Sequence, residues 1–244
     1  MLVIVSNQFD QGAKSLASRW TAAGHVVGLL TPRDLSIAGW RCHPCGGKGH
    51  ELAIIQGSVI PTESITGVFT RMASVFESDL TGIVAQDRSY VAAEMTAMLL
   101  SWLWGLRCPV VNRPTATCLA GPYWSTERWL KAARDLHIPT QPFQRSVHTR
   151  ASHAEEPLPA RSVIVTVIGE HVFGDEDGVP ALWARRLAKA AECDLLTLTF
   201  EESGSSYAFA GAHLWPDLGD PVLADALVAH VQGRAQASAH GAAQ

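Results

Sequence analysis

The chain lacks what would carry it through or onto a membrane. Its longest apolar stretch, Val91 to Leu106, is broken by Glu94, Thr96 and Ser101 and falls short of the roughly 20 apolar residues that span a bilayer. The opening Met1-Leu-Val-Ile-Val-Ser-Asn has no basic leader and too short an apolar run for a signal core, so it reads as a buried strand. Cysteine is scarce. Five residues, at 42, 45, 108, 118 and 193, are irregularly spaced in a chain of 244, which argues against a disulfide framework and fits a reducing, cytoplasmic setting. An excess of positive charge is missing too: Lys and Arg number 19 against 23 Asp and Glu, a net charge of −4. No broad field draws polyanions, and neither nucleic acid nor membrane is expected as a partner. No nucleophile elbow, Walker loop or zinc-protease helix signature is present.

What is there is a core. With 47% hydrophobic and 17% charged residues, the chain has enough apolar material for one large domain or two small ones. Leu2–Ser6 reads as a strand. Ala13, Leu16, Ala17, Trp20 and Ala23 follow at helical spacing up to Gly24, and His25–Leu30 is a second strand. This order opens a parallel α/β sheet. After a turn-rich stretch to Gly49 come a short hairpin around Gly57 and a strand at Ile65–Thr70. The three- and four-residue steps of Val91, Met95, Leu99, Trp102 and Leu106 predict the longest helix, over 85–106, with a strand at Pro109–Asn112 after it. Ser125 caps a helix to Leu136. Two hairpins, 162–173 and 194–214, flank a helix at 180–192, and Pro221–Gln232 closes the chain.

Three of these stretches resemble ATP-grasp proteins of the glutathione-synthetase and ribosomal-protein glutamate-ligase type. Val110-Val-Asn-Arg-Pro-Thr-Ala-Thr-Cys-Leu119 with Thr126–Thr140, ending Leu136-His-Ile-Pro-Thr140, is similar to the family's passage into its ATP-binding domain. Val163–Gly174 is similar to its strand pair. Ala188–Phe200 with Ala210–Val231 is similar to its closing helix, strand, hairpin and helix. The resemblance implies an α/β fold: a Rossmann-like pre-ATP-grasp domain with a parallel sheet over 1–144 and a smaller α+β domain over 162–233 resembling the ATP-grasp C-terminal half. The Pro-broken stretch 145–161 reads as a linker between them and the Ala-, Ser- and His-rich 234–244 as a flexible tail.

The departures concern the nucleotide. Where the family starts a helix with Lys, this chain has Tyr123-Trp124-Ser125, and only the linker 145–161 stands where the family has a Gly-rich lid with a second Lys. Backbone N–H groups and a Lys ammonium are what offset triphosphate charge. The family's acidic Mg²⁺ ligands are replaced by Leu195-Leu-Thr-Leu-Thr-Phe200 and by His213-Leu-Trp215-Pro216. Magnesium wants oxygen ligands, which imidazole and indole do not supply. The reading is a non-catalytic pseudo-ATP-grasp protein with no cofactor, accessory to an active biosynthetic enzyme. Two alternatives stay open: an ATP-dependent carboxylate-amine ligase with a rebuilt nucleotide site, and a small zinc-binding adaptor.

The zinc alternative rests on Cys42, Cys45 and His50 around Gly46-Gly47-Lys48-Gly49, against the plainer reading of an exposed loop. A second candidate site comes from topology. Ligands bind outside the carboxyl ends of parallel strands, so Ser6, Asn7, Arg71, Asn112 and Arg113 are candidate ligand-binding residues, with the arginines suited to a carboxylate or phosphate. The plainer reading pairs Arg71 with Glu77 or Asp79 and Arg113 with Glu94. Finally, Val163–Ile168 and Leu195–Phe200 are apolar at nearly every position, which suits a sheet covered on both faces. With the lid missing, the expected cover is the N-terminal domain or, in a homodimer, a second subunit.

Overall fold

The structure, a computed structural model, describes residues 1–42, 51–142, 161–175, 178–203 and 206–241. The first elements are β1 (Leu2–Val5), α1 (Gln11–Ala22), β2 (Val27–Leu30), α2 (Pro32–Leu35), β3 (Leu52–Ile55), β4 (Ser58–Pro61) and β5 (Gly67–Thr70). They continue with α3 (Arg88–Gly105), β6 (Val110–Val111), α4 (Thr126–Asp135), β7 (Arg161–Ile168) and β8 (His171–Phe173). The last are α5 (Val179–Ala190), β9 (Leu195–Ser203), β10 (Ser206–His213) and α6 (Pro221–Gly241). Among the described residues no helix is long and apolar enough to cross a membrane.

The chain divides into two compact units, Met1–Tyr123 with Asp217–Gln244, and Trp124–Pro216. The first is built on a parallel sheet in the order β2-β1-β5-β6. Alternation along its strands sends Val3, Val5, Val68 and Val110 into one core with Leu99, Trp102 and Leu103 of α3. Ile4 and Phe69 point to the opposite face and are also buried. Residues buried on both faces explain why these strands read as unbroken apolar runs. Gly67 lies on that opposite face for a steric reason: a Cβ there would stand 2.1 Å from Cγ1 of Val231 on α6.

The closing helix therefore belongs with the first unit, whereas the sequence grouped residues 162–233 together. Trp20 Nε1 donates to Ala224 O at 3.0 Å, and Arg19 makes a two-nitrogen bond to Asp225. The helix also runs past Gln232 to Gly241, where a frayed tail was expected, because the Ala-rich segment after Gly233 has high helix propensity. A short helix missed in the turn-rich stretch, α2, is held by Asp34, whose Oδ2 accepts from the Thr31 N–H and hydroxyl at 2.9 Å each. Of the expected linker, Arg161 already belongs to β7, and the rest lies outside the described residues.

The second unit is an antiparallel sheet in the order β10-β9-β7-β8. Helix α5 packs on β7, β8 and β9, and α4 packs on β10. Register puts Val165, Val167, Leu196, Leu198, Phe200 and Phe209 on one face, where Trp183 of α5 meets Phe200 with ring centroids 6.0 Å apart. The other face carries Ser162, Ile164, Thr166, Ile168, Leu195, Thr197, Thr199 and Glu201. Where a broad apolar face was expected, this one is buried over Thr166, Ile168, Leu195 and Thr197 and polar towards Ser162 and Glu201. Pairing brings the threonines together on it, and Ile164, 60% exposed, is its one largely exposed hydrophobic side chain among the described residues.

Candidate functional site

In the parallel sheet the chain leaves β1 through α1 to β2 on one side, and leaves β5 through α3 to β6 on the other. The strand order reverses between β1 and β5, and a crevice opens outside their carboxyl ends at such a switch point. Pairing of Val5 with Thr70 places Ser6 beside Arg71 there.

The turn out of β1 is built from Asn7. Its Oδ1 accepts the Phe9 N–H at 2.9 Å, and its carbonyl accepts the Asp10 N–H at 3.3 Å. Asp10 then caps α1, with Oδ1 accepting the Ala13 N–H at 2.9 Å. The same carboxylate's Oδ2 accepts from Arg71 Nε at 2.9 Å, and both side chains are largely buried. Gly12 makes room for this arrangement, since a Cβ there would lie 3.0 Å from Arg71 Nη2. Arg71 does not pair with Glu77 or Asp79. The Asp79 carboxylate is taken by the Phe76 N–H at 3.0 Å, while the backbone bond from Arg71 N to Val5 O, 2.7 Å, sets the arginine against the start of α1. The result is a neutral pair that ties helix to sheet.

Asn112 and Arg113 lie at the end of β6, one strand further from the switch point. Asn112 is buried with φ of 51°, a left-handed conformation that asparagine tolerates. Arg113 stacks over the Trp104 ring, 5.7 Å from its centroid, and not on Glu94. The five sequence candidates therefore divide into Ser6, Asn7 and Arg71 at the crevice, and Asn112 and Arg113 beside it. Two residues of the crevice were missed. Asp10 was readable as an acidic cap just before a helix. Thr70, buried at the end of β5 with no partner for its hydroxyl, had no signal beyond ending an apolar run.

Of the zinc candidates Cys42 is described, and Cys45 and His50 lie outside the described residues. Burial, with the Glu51 carboxylate adding to it, pushes the Cys42 thiol up, away from the thiolate form that binds metal. Burial likewise pushes Cys193 up to about 12, that of an inert core thiol.

The threonine-bearing face of the antiparallel sheet holds the positions where the resemblance expects acidic magnesium ligands. Thr166 and Thr197 are cross-strand partners, both buried, and their hydroxyls bond each other at 3.0 Å. His213 pairs with Thr197 across the β9–β10 ladder, and its Nδ1 accepts the Trp215 N–H at 3.2 Å. Desolvation pushes that imidazole below its ordinary value, so it is neutral at pH 7. Glu201 shares the face but is paired with Ser162 and Ala208 further along the strands. Among the described residues no group of three or more His, Cys, Asp and Glu is placed to hold a metal ion. These side chains do not fit a magnesium nucleotide: neutral hydroxyls already bonded to each other are poor ligands for a hard cation.

No protein-family model matches the chain, and no curated protein sequence matches it. Solved structures do. The ATP-grasp ligase PsnB, complexed with minimal precursor, Mg and ADP, aligns with a TM-score of 0.62 at 16% identity, over 95% of this chain and 98% of that one. The macrocyclase MdnC bound with precursor peptide MdnA, from Microcystis aeruginosa MRC, aligns with a TM-score of 0.68 at 11% identity, over 96% and 99%. A RiPP-associated ATP-grasp ligase from Chryseobacterium gregarium, in complex with ADP and a leader and core peptide, aligns with a TM-score of 0.61 at 10% identity, over 98% and 96%. Likeness at such identities is one of fold, and the fold of this chain is ATP-grasp-like.

Proposed function

We propose that this ATP-grasp-like chain is a non-catalytic accessory protein of a peptide-modifying biosynthetic enzyme. The observation that carries the reading is the Thr166–Thr197 pair, which fills with a closed hydrogen bond the sheet face where a working member needs carboxylates on a metal. Support for a peptide-modifying setting comes from the fold neighbours, which include PsnB with its minimal precursor and MdnC with MdnA. The Arg71–Asp10 pair supports the same reading, since a guanidinium neutralised at its Nε end offers a carboxylate or phosphate less than a free one would.

Phosphate release tests it. With ATP, magnesium and peptide carrying free carboxylate and amine groups, the purified chain should release phosphate no faster than buffer. Turnover abolished by Glu201→Gln would instead establish the rival reading, a ligase whose nucleotide site is rebuilt around the one carboxylate left on that face.

A further inference from the structure

The second unit is electrically two-sided. Its helices α4 and α5 carry Arg128, Lys131, Arg134, Arg185, Arg186 and Lys189 against only Glu127 and Asp135. The strands and loops of the sheet hold Glu170, Asp175, Glu192, Asp194, Glu201 and Glu202, with Arg161 as their one described cation. In each helix the basic residues lie opposite the buried stripe, which is Trp129, Leu130 and Ala133 in α4 and Ala184, Leu187 and Ala188 in α5. All six are exposed.

The two stripes form one surface. The helices pack against each other, and Arg186 Nη2 donates to the Leu136 carbonyl at the end of α4, 2.8 Å away. Other cations are positioned by neutral groups that leave their charge intact: Arg128 lies 4.3 Å from the Trp124 ring centroid, and Arg134 Nε donates to Thr140 Oγ1 at 3.1 Å. Lys131 pairs with Asp135 one turn on. Complementing the helix dipole accounts for Arg134 and Lys189, near helix C-termini. It does not account for Arg128 in the first turn of α4, nor for Arg185 and Arg186 in mid-helix. An ordinary solvated helix face intersperses acids at four-residue steps; α4 does so with Glu127 and Asp135 about Lys131, whereas α5 carries no acid at all. One turn before Arg185 and Arg186, Leu182 stands 56% exposed, and Val179 precedes it, 49% exposed.

We infer that the α4–α5 face docks a short acidic peptide segment bearing an apolar residue, its carboxylates on the arginines and lysines and its apolar side chain on Leu182 and Val179. Charge complementarity supplies the argument. Helices of ten and twelve residues span about 15 and 18 Å, the reach of a short segment. The acidic remainder of the unit and the net charge of −4 oppose a long polyanion or an extended anionic surface. The inference is independent of the nucleotide reading, because this face lies across the sheet from the Thr166–Thr197 pair.

The probe is a fluorescein-labelled peptide of Glu and Asp with one central Leu, followed by anisotropy at low and physiological salt. Saturable, salt-sensitive binding is expected. Arg185→Glu with Lys189→Glu should weaken it by roughly tenfold or more, and Leu182→Ser by about fivefold. Arg161→Glu, on the sheet side, should leave it unchanged. Gln at 185 and 189, which keeps the helix, should give a smaller loss than Glu, and circular dichroism should show each variant folded. The inference is overturned by absence of binding at low salt, by an equal loss in Arg161→Glu, or by tighter binding of a single-stranded oligonucleotide or of anionic vesicles.

Discussion

The parallel and antiparallel sheets of this chain solve the same packing problem differently. In the first unit both faces of β1 and β5 are buried, and even the glycine at 67 is fixed by contact with Val231. In the second unit α4 and α5 cover one face, while the other buries Ile168 and Leu195 beside a hydrogen-bonded threonine pair and leaves Ile164 exposed. The difference lies in how much freedom each strand position has. A parallel sheet wrapped on both sides leaves little freedom at any strand position. A sheet face can bury hydroxyls at small cost if they satisfy each other.

Core truncations should strike both units hardest. Trp20→Ala and Phe200→Ala are each expected to cost about 3–5 kcal/mol, read by urea denaturation. Hydrogen exchange should show the loss of protection centred on β1 and β5 for the first and on β7 and β9 for the second. Gly67→Ala tests the tight wrapping directly, with an expected loss of about 1–3 kcal/mol that Val231→Ala partly restores. No loss would mean that α6 does not press on β5.

On the looser side of the comparison, Thr166→Val alone should cost about 1–3 kcal/mol, since it strands the buried Thr197 hydroxyl. The double Thr166→Val, Thr197→Val protein should recover most of it. If the double is as unstable as the sum of the singles, those hydroxyls have partners other than each other. The smallest effect expected is at the crevice, where loss of the Asp10 cap alone should cost about 0.5–2 kcal/mol, a loss that Asp10→Ala adds to that of the Arg71 partner. Asp10→Asn, which keeps the cap and gives up the charge, separates the helix contribution from that of Arg71.

Much of this was legible in the residues. Continuous apolar runs gave β1, β5, β7 and β9 within a residue or two at most ends, and three- and four-residue steps gave α1, α3 and α4, because period and burial are local properties of sequence. Ser125 was readable as a cap, and its hydroxyl does accept the Arg128 N–H. What stayed hidden depends on pairing across long separations. Arg71 was set against acids six and eight positions away, yet finds Asp10 through the β1–β5 register. The return of α6 to Trp20 and Gly67 spans the whole second unit in sequence, so nothing local announced it. The strands at 163–168 and 195–200 looked apolar throughout, and only their register shows that the two threonines fall on one face and meet.

Titration calorimetry with ATP and magnesium on the intact chain tests the central claim most directly. A face closed by Thr166 and Thr197, with His213 neutral and bonded to its own turn, should give no saturable heat at affinities tighter than about millimolar, a regime of ~4 kcal/mol. Saturable micromolar binding that weakens in Glu201→Gln would contradict it and place a working nucleotide site on that sheet.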